Sequence, residues 1–246
     1  ERGRPNSLHG GYKCFHTKVW KASSSVTPEG VKLTLKHFSH DGDEGYPGNL
    51  DVTVIYTLTN NNELKIEYFA TTDKPTIVNL TQHSYFNLSG GGKIYDHYVM
   101  INADKYTPVN EYLIPTGEIA QVENTPFDLR KLTKVGQAIQ KLMDSPAKGF
   151  DFNFVLSDNL AAVVQEPING IKMEVYTTKP GVQFYTGNYL PGLKGKYGQI
   201  YDQHTGFCLE TQYFPDSPNH KNFPNTVLRP GEVYKHTTIF KFTITE

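Results

Sequence analysis

Cysteine is scarce in this chain of 246 residues, which holds Cys14 and Cys208 and no other. Two cysteines make neither a disulfide framework for a chain of this length nor a cysteine-rich structural zinc site. Alanine is also sparse, at 8 residues against 24 threonines, which speaks against an α-rich chain. Neither sign of charge dominates: 24 basic side chains meet 25 acidic ones for a formal net charge of -1. Such a balance provides no field to draw nucleic acid or an anionic membrane. No apolar run nears the roughly 20 residues that span a bilayer. There is no G-x-S-x-G elbow, no G-x-x-x-x-G-K-S/T phosphate loop and no H-E-x-x-H helix.

What is present is β-forming. Sixteen tyrosines and 14 phenylalanines accompany the threonines, and aromatic and β-branched side chains suit a pleated sheet. Apolar and polar residues alternate over 31–38 through Val31, Leu33 and Leu35, and over 50–58 through Val52, Val54 and Tyr56. After the turn Asn60-Asn61-Asn62, Leu64, Ile66 and Tyr68 share one face of a third run. These predict a hairpin or meander with one wet face. Further strands are expected over 96–104, 161–166, 171–178, 182–185, 207–210 and 233–245. One helix is expected from Leu132, Val135, Ile139 and Leu142, with Gly136 weakening it. No linker or repeat divides the chain, so a single all-β domain over 1–246, a large antiparallel β-sandwich, is the expected architecture.

Polar residues set in aromatic and turn-forming sequence are the candidates for chemistry. "NLTQHSYFNLSG" places His83 beside Tyr85 and Phe86. "FCLETQYFPDSPNH" carries Glu210, "PNSLHGG" sets His9 against two glycines, and "KGFDFNF" sets Asp151 between phenylalanines. Each alone has a plain structural explanation, as a rim histidine, a solvated strand end or a turn cap. Together, a histidine and a carboxylate in an aromatic-lined cleft meet the needs of bifunctional proton transfer near neutral pH. Aromatic faces also suit the C–H surfaces of a pyranose. His37, His40 and Asp41 lie close together but read as a surface loop rather than a metal site, and Gly90-Gly91-Gly92 reads as a turn rather than a phosphate loop.

The ordered segments "PNSLHGG", "NLTQHSYFNLSG", "PGVQFYTGN", "LETQYFPDSPNH" and "PGEVYKHTTIFKF" resemble the aldose 1-epimerases, or galactose mutarotases, over Arg4 to Phe242. The resemblance implies a mutarotase-like supersandwich that interconverts the α and β anomers of free aldohexoses such as galactose and glucose, without cofactor or metal. It implies that His83 is the general acid toward the ring oxygen and Glu210 the base toward the C1 hydroxyl. His9, Asp151 and Gln183 are implied as sugar-binding residues. Gln82 stands where the family commonly has Asn, and Phe152 where it often has His. Family members extend upstream of "PNSLHGG" with a segment that carries an Asn-Arg pair for the sugar. The chain is therefore expected to be N-terminally incomplete, to expose unpaired strand edges, and to leave a missing N-terminal segment or fused domain as a possible partner.

Two other functions compete. One is a non-catalytic sugar-binding or regulatory module on the same fold. The other is a hexose-6-phosphate 1-epimerase, which needs a cationic cluster for the phosphate; Arg2, Arg4 and Arg229 are poorly placed in sequence to supply one. Asp151 and Glu210 could also serve as a glycosidase pair, though their flanking residues favour the mutarotase roles. The sequons at Asn79 and Asn87 read as chance triplets, and a cytoplasmic location is expected.

Overall fold

The computed structural model describes residues 6–245. Among them, two antiparallel sheets hold most of the strands. The larger has nine strands, in the spatial order Lys21–Thr27, Gly30–Ser39, Leu50–Thr59, Glu63–Thr72, Tyr234–Ile244, Ile171–Thr177, Leu160–Gln165, Tyr98–Ile101 and Thr133–Lys134. The smaller has five: Cys208–Gln212, Gly181–Tyr185, Asp151–Val155, Lys105–Thr107 and Ala120–Gln121. The expected meander is there, with Asn62 supplying the positive φ of its second turn. The C-terminal strand pairs with Glu63–Thr72 on one side and Ile171–Thr177 on the other, so it joins the early and late parts of the chain in one sheet.

The sheets meet over an aromatic and aliphatic core. Phe150, Phe154, Phe184, Phe207 and Phe240 are all fully buried in it, with Ile66, Met173 and Leu209. Burying such side chains stabilises the fold by about 1.5–3 kcal/mol each, before the cost of ordering them. A chain of buried hydroxyls also ties the two layers. Thr238 Oγ1 of the large sheet lies 2.6 Å from Thr211 Oγ1 of the small sheet and 3.2 Å from Thr177 Oγ1. These hydroxyls satisfy one another where water is excluded.

Two expected elements are shorter than their patterns. The helix is a single short piece, Val135–Gln140, that buries Val135, Ala138 and Ile139. Leu132 precedes it and is exposed, while Leu142 is buried in the turn after it. Gly136 is needed there, since a Cβ would sit 2.7 Å from Tyr95 Cβ. The strand expected over 96–104 is confined to Tyr98–Ile101. A 3-10 turn over Ile94–Asp96 precedes it, and the buried His97 accepts the Leu88 N–H at Nε2. His37, His40 and Asp41 do not converge. His37 lies against Phe15 and Trp20, whereas Asp41 accepts the Gly48 N–H and pairs with Lys74.

Lys21–Thr27 is an edge among the described strands, and nearly all of it is exposed. Val26, Val31 and Leu58 are cross-strand neighbours at this end of the sheet, exposed by 86, 54 and 61%. An apolar, unpaired edge of this kind favours self-association. The double substitution Val26→Lys, Leu58→Lys is expected to change unfolding free energy by no more than about 0.5 kcal/mol per site. It should lower light scattering at high protein concentration; unchanged scattering would show that this edge does not drive association.

Lys179 is a buried amine that forms no ion pair with a carboxylate among the described residues. Its Nζ donates to the Tyr234 hydroxyl and lies 4.3 and 5.0 Å from the ring centres of Tyr234 and Tyr213. Burial pulls its pKa down to about 7 from an ordinary 10.5. At this residue the unfolded chain therefore holds a proton that the folded chain lacks between those values, and the contribution of Lys179 to stability rises with pH in that window. We expect the stability difference between wild type and Lys179→Met, in which the other titrating groups cancel, to rise by about 1.4 kcal/mol per pH unit between pH 8 and 9.5 in urea titrations.

Candidate active site

The small sheet sorts its side chains by alternation. In register, Gln183 opposes Glu210, Tyr185 opposes Cys208, Asp151 opposes Tyr185, and Asn153 opposes Gln183. Cross-strand partners share a face, so Cys208, Glu210, Gln212, Gln183, Tyr185, Asp151 and Asn153 lie on one side. Leu209, Thr211, Val182, Phe184, Phe152 and Phe154 lie on the other, against the core. Phe152 packs there on Phe127 and Tyr106, with ring centres 4.6 and 6.3 Å away. Its departure from the family pattern thus falls in the packing layer rather than beside Asp151.

The polar face is internally bonded. Gln183 Nε2 donates to Asp151 Oδ1 at 2.8 Å, and Gln212 Nε2 donates to Gln183 Oε1 at 3.1 Å and to Asn153 Oδ1 at 3.3 Å. Gly181 makes room for this network, because a Cβ there would fall 2.5 Å from Asn153 Oδ1.

His83 reaches this face from an irregular segment fastened at both ends. On one side Gln82 Nε2 donates to Leu209 O at 3.0 Å, while its Oε1 accepts the Ser84 N–H at 2.7 Å. On the other, Phe86 and Phe207 exchange backbone hydrogen bonds of 2.8 and 2.9 Å. Held in this way, His83 Nε2 lies 3.6 Å from Glu210 Oε1 and Nδ1 lies 3.4 Å from Cys208 Sγ. Tyr85 stacks on the imidazole at 5.1 Å, Tyr185 meets it edge-on at 6.1 Å, and the His9 ring is 5.4 Å away. His9 sits in a left-handed turn with Gly10 and Gly11. At Gly11 a Cβ would collide with Glu44, whose carboxylate accepts the Tyr12 N–H.

Burial sets the electrostatics. Glu210 is 8% exposed, and loss of water, reinforced by the Asp151 charge, pushes its pKa up to about 8. Burial lowers that of His83, and His16 lowers it further. The Cys208 thiol is pushed upward by burial, then by Glu210 and Asp151. The His83 side chain is still 33% exposed, so the pair has a floor in Glu210 and a mouth at His83.

A model of the aldose 1-epimerase family matches residues 1–241. The chain belongs to the aldose 1-epimerase family. It is thus an isomerase by family. The galactose mutarotase of Rattus norvegicus is 52% identical over 247 residues, which cover 98% of this chain and 70% of that protein. The aldose 1-epimerase of Escherichia coli K12 is 39% identical over 248 residues, covering 96% of this chain and 70% of that one. The crystal structure of galactose 1-epimerase from Lactobacillus acidophilus NCFM matches with a TM-score of 0.85 at 32% identity, covering 98% and 70%. The mutarotase-like sandwich expected of an aldose 1-epimerase is the fold observed.

His83, Glu210, Asp151, Gln183 and His9 stand around one polar face in this epimerase. Sequence reasoning passed over Cys208, Tyr185, Gln212 and Asn153, which share it. Reading alternate residues along "CLETQ", "GVQFY" and "DFNFV" would have found all four. Of the arginines considered for a phosphate, Arg2 and Arg4 lie outside the described residues, and Arg229 is exposed. Among the described residues no helix is long and apolar enough to cross a membrane.

Gln82 fixes His83 relative to the strand that carries Glu210. Replacing it with Leu leaves the Ser84 N–H and Leu209 carbonyl without these partners. We expect a loss of about 1–3 kcal/mol in stability and roughly tenfold in kcat with KM little changed. Chemical denaturation and progress curves at saturating sugar would test both; a rise in KM alone would assign Gln82 to sugar binding instead.

Proposed function

We propose that this chain interconverts the α and β anomers of free aldohexoses, galactose and glucose, with His83 as acid and Glu210 as base. The observation that carries this reading is the 3.6 Å approach of His83 Nε2 to Glu210 Oε1 beside a preformed amide and carboxylate network. Near neutral pH the shifts leave the pair with one proton between its two groups. With that proton on His83, the imidazolium passes it to the ring oxygen while the Glu210 carboxylate takes the C1 hydroxyl proton. The bond from C1 to the ring oxygen breaks, and C1 becomes an aldehyde carbon. Rotation about C1–C2 offers the other carbonyl face. The freed hydroxyl adds back, returning its proton to His83, and Glu210 reprotonates O1. Asp151, Gln183 and His9 hold the sugar hydroxyls, and Tyr85 and Tyr185 face its C–H surface. The names of the mutarotase and galactose 1-epimerase relatives support galactose as a substrate. Two free, buried thiols suit the cytoplasmic location we infer.

Polarimetry of freshly dissolved α-D-galactose and α-D-glucose tests the reading. His83→Ala and Glu210→Gln should each lower kcat about 10²–10⁴-fold, and a wild-type rate equal to buffer would refute the proposal. The same assay across pH has a defined shape. Below the lowered His83 value both groups are protonated and no base remains; above about 8 both are deprotonated and no acid remains. A bell in kcat/KM with its alkaline limb near pH 8 is expected, and a profile flat from pH 5 to 9 would remove the pair from the reaction.

A further inference from the structure

We propose that the same pocket is an inhibitory site for a soft divalent cation of the zinc class, bound by His83, Cys208 and Glu210. One ligand atom from each of these residues lies within 4.8 Å of the other two. Zinc takes imidazole nitrogen, thiolate sulfur and carboxylate oxygen at about 2.0–2.3 Å, which places tetrahedral ligands about 3.4–3.6 Å apart. The sulfur of Cys208 is already 3.4 Å from one imidazole nitrogen, and the carboxylate of Glu210 is 3.6 Å from the other. An ion uses a single nitrogen, and rotation of the partly exposed His83 ring closes the remaining gap. The mouth at His83 gives an entry path and room for a water as fourth ligand.

Charge explains why such an ion would settle there. Cys208 is fully buried and Glu210 nearly so, and each alone is costly to ionise. Thiolate and carboxylate together cancel a divalent charge, so the complex is neutral in a place that tolerates no net charge. The thiol proton, and the carboxyl proton where present, leave to solvent as the ion binds. Sulfur in the set favours zinc, cadmium or cobalt over magnesium, which prefers an all-oxygen octahedron. An ion so held occupies the lone pairs of His83 and Glu210, and proton transfer stops. Binding stands on geometry alone, whereas inhibition rests on the acid–base reading given above.

Cobalt(II) titration of the folded chain separates the two. The wild type should develop a near-ultraviolet thiolate-to-cobalt charge-transfer band that zinc bleaches. The band should be absent from Cys208→Ser and from Cys208→Ala, with each fold verified by circular dichroism. In polarimetry, zinc should slow the wild type reversibly, EDTA should restore the rate, and magnesium should do neither. Half-inhibition of Cys208→Ser, relative to its own metal-free rate, should need at least about tenfold more zinc. No band in the wild type overturns the site, as does a band that survives in both variants, which would place the ion on Cys14, whose Sγ lies 3.2 Å from His16 Nδ1. A Cys208-dependent band without zinc inhibition would uphold the metal site and overturn the assignment of His83 and Glu210 as the proton-transfer pair.

Discussion

The period of two along three neighbouring strands is the constraint on which the rest of the molecule depends. In Cys208–Gln212, Gly181–Tyr185 and Asp151–Val155, one set of alternate residues builds the core and the other builds the polar pocket. A register slip of one residue would turn Phe184 and Leu209 outward and drive Gln183 and Glu210 into the core. Packing therefore guards the chemistry: the free energy that buries Phe154, Phe184 and Leu209 also fixes where Asp151, Gln183 and Glu210 can be. The buried Thr211–Thr238 contact adds direction to that packing, because hydroxyls 2.6 Å apart tolerate less sliding between sheets than methyl groups would.

His83 is the exception, since it lies outside regular strand structure. Its position comes from hydrogen bonds on both flanks, through Gln82 to Leu209 and through Phe86 to Phe207. Both anchors grip residues adjacent to or within the Glu210 strand, so the proposed acid and base share one mechanical reference. A longer, unanchored loop would leave their separation to chance, and proton transfer is sensitive to shifts of an ångström.

Long alternating runs were legible because both their faces carried a signal. Val52 and Val54, or Ile66 and Tyr68, could be read as strand without any knowledge of their partners. Lys21–Thr27 was not legible: its run of three serines breaks any apolar alternation and leaves Val26 as an isolated large apolar residue, and it is a strand because Gly30–Ser39 pairs with it. Asp151–Val155 was seen for its aspartate and not for its strand, since Phe152 and Phe154 flank polar residues without a β-branched run. The pocket was legible as separate residues, and the family resemblance supplied their roles. What no local pattern could supply was convergence: Cys208 and His83 are 125 residues apart in the chain and 3.4 Å apart in space. The helix was overextended because period alone ignores neighbours, and Tyr95 leaves room for one short piece beside Gly136.

Two buried groups show what separates a reactive site from a merely expensive one. Burial drives Lys179 down to about 7 and Glu210 up to about 8, each toward its neutral form. Lys179 is enclosed by Tyr68, Tyr213 and Tyr234, whose hydroxyls are pushed well away from neutral titration and offer no proton partner in that range. Its shift is paid in stability. Glu210 instead faces a histidine that burial has moved in the opposite sense and that reaches solvent. Moving one proton between these two groups leaves the net charge of the pocket unchanged, so the low dielectric that penalises either ion alone does not penalise the exchange to the same degree. The same balance admits a divalent cation once Cys208 is counted. Readiness to trade protons and vulnerability to a soft metal thus arise from one arrangement of three side chains.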